Sequence, residues 1–166
     1  MTKFFKPLAV LLGAAVCVSA WAQAPTTPEQ KARMIQLIDG LEKHPYADDA
    51  GSSRKEVMEW LTEAPDVSVT VCGALLGDLE KLDKEGGGDL LLQQMFSEAR
   101  FILENPEQAK DEKTVHVAGL EGVLRTYQQM KTEKTGLKIG SIETVARMQS
   151  DGKLGDFVKK AMDKCN

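Results

Sequence analysis

From residue 28 onward, apolar side chains recur at steps of three and four residues. The runs are interrupted by proline, glycine or Asn-Pro before any reaches 25 residues. That periodicity puts the apolar groups on one side of a helix, whereas a half-buried strand would need strict alternation. A stripe of this kind must be covered by another stripe, so the chain is expected to be all-α: a single compact bundle of six to seven short amphipathic helices.

The punctuation follows the chemistry of helix ends. Thr27 with Pro28 and Gln30 reads as a capping box opening a helix that carries Ile35, Ile38 and Leu41 and stops at His44-Pro45. Ser53 with Glu56 reads as a second capping box, before Val57, Trp60 and Leu61, with Pro65 as the stop. Asp89 is expected to cap a helix bearing Leu92, Met95, Phe96, Ala99, Ile102 and Leu103, ended by Asn105-Pro106. Thr114 then starts a helix with Val117, Leu120, Val123, Leu124, Tyr127 and Met130, and Ser141 caps a shorter one with Ile142, Val145 and Met148. The last presents Leu154, Val158, Ala161 and Met162, with Cys165 in the same stripe.

Residues 66–83 carry two conflicting patterns. Val67, Val69 and Val71 alternate as in a strand, while Val67, Val71, Leu75, Leu79 and Leu82 continue at helical steps over some 18 residues. Strands are seldom that long, so the spacing predicts a helix. Gly73 and Gly77 then sit opposite the leucine stripe, where close approach of another segment or a ligand would explain them.

The first 22 residues read as a secretory signal peptide. Lys3 and Lys6 precede an apolar run from Leu8 to Ala20, and Ala20-Trp21-Ala22 fits the cleavage pattern. Residues 23–166 are then one all-helical domain in the periplasm or outside the cell, without a membrane span. Of the three cysteines Cys17 leaves with the leader, and Cys72 and Cys165 remain as an even pair in an oxidising compartment. One long-range disulfide between them is expected, worth up to ~4–5 kcal/mol by loop-closure entropy.

Removing Lys3 and Lys6 and no acid leaves 19 basic against 25 acidic residues, a charge of −6. An acidic chain without a basic stripe does not suit nucleic acid. It suits an envelope partner with a basic surface, as an inhibitor or immunity-type factor would meet.

Chemistry-bearing motifs are sparse. The chain has no GxSxG, HExxH, Walker or GxGxxG sequence. The triplet Gly86-Gly87-Gly88 lacks the lysine of a phosphate loop, and the acids around it miss calcium-loop spacing. Only two histidines offer catalysis: His44 at a helix C-terminus near Asp48 and Asp49, and His116 among apolar positions, where a partly buried structural role is expected. Trp60 is expected in the core, with ligand stacking as its other use. No metal site and no cofactor is expected. The sequence therefore favours a non-enzymatic binding or interaction protein. A helical pocket protein holding a small apolar ligand near Gly73 and Gly77 is the alternative, and an enzyme using His44 or His116 ranks third.

Overall fold

A computed structural model describes residues 24–165. The leader expected over residues 1–22 lies outside the described residues. Seven α-helices are found among them: α1 Pro28–Lys43, α2 Ala50–Glu63, α3 Leu79–Lys84, α4 Asp89–Glu104, α5 Glu112–Glu133, α6 Gly140–Ser150 and α7 Leu154–Met162. Short 3-10 turns occupy Gly73–Leu75 and Pro106–Gln108, and no strand is present among the described residues. The all-α expectation therefore holds.

Helix α1 starts as its sequence dictates. The Gln30 amide donates to Thr27 Oγ1 at 3.2 Å, and the Thr27 amide donates back to Gln30 Oε1 at 3.0 Å. Four other starts differ from expectation. Helix α2 begins at Ala50, three residues before Ser53, so Ser53 lies inside it, and Glu56 is free to pair with Arg33 rather than to cap. Helix α5 begins at Glu112, because Asp111 accepts from both the amide and the hydroxyl of Thr114, at 3.1 and 2.7 Å. Asp89 is the first residue of α4 rather than its cap, and its carboxylate meets Arg54 at 3.2 Å. Helix α6 likewise begins one residue before Ser141, with no side-chain cap.

The helix expected over residues 66–83 does not form. Residues 67–72 run without turn or bend, one 3-10 turn follows, and α3 covers only Leu79–Lys84. Gly77 explains the break: its φ of +84° is left-handed and incompatible with a continuing helix. Asp78 then starts α3 by accepting from the Lys81 amide at 3.1 Å.

The buried apolar side chains fall into two clusters. One is built by Met34, Ile38 and Leu41 of α1 with Val57 of α2 and Phe96 and Ile102 of α4. The other gathers Leu75, Leu76 and Leu82 with Leu120, Tyr127 and Met130 of α5, Ile142 of α6 and Val158 of α7. Helices α4 and α5 contribute to both, and their mutual contact is the most extensive in the fold.

Cys72 is bonded to Cys165, with Cα atoms 5.5 Å apart. Cys72 is buried as expected. Cys165 is exposed and lies beyond the end of α7, not within its apolar stripe. The bond fastens the chain after α7 to the turn before α3.

Candidate functional site

The contact between α4 and α5 is lined by polar groups. Gln93, Gln94, Ser97 and Glu98 of α4 are buried, as are His116 and Thr126 of α5 and Glu42 of α1. Such groups are stable inside a fold only when hydrogen-bonded. Around Glu42 the partners are complete. Ser97 Oγ donates to it at 2.8 Å, and Arg125 grips both oxygens at 2.7 and 3.0 Å. This bidentate bond holds the Arg125 guanidinium above its ordinary pKa. Arg100 extends the network from Glu42 to Asp39.

At the next residue of α4, Glu98 Oε1 lies 2.8 Å from His116 Nδ1 and accepts from Gln94 Nε2 at 2.9 Å. Glu98 Oε2 and Gln94 Oε1 have no hydrogen-bond partner among the described residues. Two glycines of α5 make room for these polar groups. A Cβ at Gly122 would stand 1.9 Å from Ser97 Oγ, and one at Gly119 would stand 2.6 Å from Glu98 Cγ.

An imidazole beside a carboxylate has the chemistry of a general base. This pair is sealed, however: the side chains of His116 and Glu98 are 4% and 0% exposed, so no substrate reaches them. Together the polar groups form a seam through α1, α4 and α5, deciding which helix faces meet.

The surface offers a different feature. A groove of about 350 Å³ runs between α1 and α2, over Leu37, Leu41 and Ala50. Arg33 bridges it to Glu56 with two bonds of 3.0 Å, two to three turns from the connecting loop. At the loop end it is bordered by His44 and Asp49, and Gly40 leaves one wall without a side chain. His44 is exposed and makes no side-chain hydrogen bond among the described residues, while Ser52 donates its hydroxyl to the Asp49 carbonyl at 2.8 Å. Asp48 and Asp49 are exposed and have no ion-pair partner among the described residues.

The positions that the sequence singled out lie far apart in the fold. His44 borders the groove and His116 sits in the seam. Trp60 is half-buried against the α1–α2–α4 cluster, beside a separate hollow with Gln30 and Glu63. Gly73 and Gly77 flank the turn before α3, where added Cβ atoms would stand 3.1 Å from Leu79 Cδ1 and Ser141 Cβ respectively. Glu42, Glu98 and Arg125 went unnoticed in the sequence. Their signal was there, in glycines three apart at Gly119 and Gly122 and in polar pairs four apart at Gln93/Ser97 and Gln94/Glu98. No protein-family model, curated protein or solved structure matches this chain.

Among the described residues no helix is long and apolar enough to cross a membrane.

Proposed function

We propose that this is an exported, non-enzymatic binding protein of the bacterial envelope, and that its α1–α2 groove receives a basic segment of a protein partner. The groove carries this reading. Arg33, its one arginine, is already neutralised by Glu56, which leaves Asp49 and neighbouring Asp48 to attract a lysine or arginine. The leader-like residues 1–22 support export, and a disulfide suits an oxidising compartment. An apolar ligand has less support, since the groove is bordered by charged and hydroxyl groups and the space at Gly73 and Gly77 is bounded by Leu79 and Ser141.

The test is capture from the organism's own envelope extract on immobilised protein, at low and high salt, beside the variant Asp48→Lys/Asp49→Lys. A partner held at low salt, released at high salt and lost from the variant is the expected result. Capture indifferent to both salt and charge reversal would sink the proposal. A co-purifying small apolar molecule without a protein would favour the pocket alternative instead.

A further inference from the structure

Residues 67–71, Val-Ser-Val-Thr-Val, are unusual in an all-α fold. They run without turn or bend, and none of their amides or carbonyls is hydrogen-bonded among the described residues. Both flanks are pinned. Asp66 accepts from the amide and hydroxyl of Thr26, at 3.1 and 2.8 Å, and Cys72 is buried and tied to Cys165. The composition is that of a strand, since valine and threonine fit a pleated surface. The alternation runs outward: Val67 is buried, Val69 half-buried and Val71 51% exposed, with Ser68 and Thr70 exposed between them. A pinned, β-prone segment with free backbone groups is a template for strand addition.

We propose that a second copy of this chain adds to this segment as an antiparallel strand, through a two-fold axis at Val69. The sequence is self-complementary about that residue. Antiparallel pairing sets Val67 opposite Val71, Ser68 opposite Thr70, and Val69 beside its own symmetry mate. Every position then meets its like in polarity, as an isologous contact requires. Charge points the same way. The chain carries −4 overall, so two copies repel, yet residues 67–77 hold no charged side chain. The same neutrality leaves the segment nothing with which to select a basic peptide, so this edge is distinct from the groove.

The oligomeric state of the full chain as recovered from cells, measured by sedimentation over a range of concentrations, tests the proposal. A concentration-dependent dimer is expected, with amides among 68–71 protected from hydrogen exchange only where dimer is populated. In this register either the odd or the even residues donate across the pair, so Val69→Pro or Thr70→Pro must abolish the dimer. Val71→Asp, at an exposed side chain, should weaken it by roughly tenfold or more while the monomer melts unchanged. A chain that stays monomeric at every concentration overturns the proposal. So does a dimer that survives all three substitutions, or a monomer in which these amides are already protected.

Discussion

Gly122 and Gly40 are both helical glycines, and helix propensity alone would favour alanine at each by about 0.5–1 kcal/mol. Their surroundings separate them. Nothing lies within 4 Å of a Cβ built at Gly40, whereas one at Gly122 would stand 2.4 Å from Ser97 Cβ and 2.8 Å from Glu42 Oε1. No rotation of the serine hydroxyl relieves the first of those contacts. Gly40→Ala should therefore raise stability by up to about 1 kcal/mol, and Gly122→Ala should lower it by roughly 1–3 kcal/mol net of propensity. Urea unfolding of the two variants measures the difference, and equal effects would show that the seam yields to an added methyl. The reason Gly122 was invisible in the sequence is tied to Glu42 and Ser97. A glutamate and a serine in amphipathic helices read as solvated, and only three helices meeting turn them into an interior that needs a glycine opposite.

Helices α1 and α3 share a starting device but not the means to survive its loss. Thr27 caps 16 residues that bury Met34, Leu37, Ile38 and Leu41. Asp78 caps six residues whose one buried member is Leu82. Either cap removed by alanine should cost about 1 kcal/mol. A six-residue helix is far below the length that stands without help, so Asp78→Ala should unprotect the whole of α3 in hydrogen exchange. Thr27→Ala should fray only the first turn of α1, and the opposite pattern would show that α3 is held by packing. The stops and one cap were readable because their chemistry is local, whereas Ser53, Asp89 and Ser141, read as caps, lie inside their helices. Thr27 with Gln30, His44-Pro45, Pro65 and Asn105-Pro106 all act within four residues. The stretch from 66 to 83 was not readable, because the leucine spacing there suited a helix while Gly77 takes a backbone angle that only its surroundings reveal. The groove was equally hidden, since it depends on how α1 and α2 lie beside each other.

The disulfide belongs to the whole molecule. It joins residues separated by 93 positions, so Cys72→Ser should remove a few kcal/mol and lower Tm by about 10 °C in a thermal melt. Two reactive thiols in the native protein would contradict that assignment. Acid should act on the whole fold as well. Glu143, accepting from Tyr127, is held below the ordinary carboxylate range, as is Asp111 beside Thr114. Burial would raise Asp66, and the bonds from Thr26 more than reverse it. Carboxyls depressed in the folded state add stability above their unfolded values and lose it as pH falls through the folded ones. Tm should therefore fall as pH drops below about 4, and Glu143→Gln should flatten part of that fall. The bond also divides the chain mechanically. Pulled between residues 24 and 165, the oxidised protein can pay out only the stretch up to Cys72, roughly 170 Å of extended chain, because the load crosses directly to Cys165. The five helices inside the loop bear no tension until the bond is reduced, which makes thiol chemistry, rather than force, the control on their unravelling.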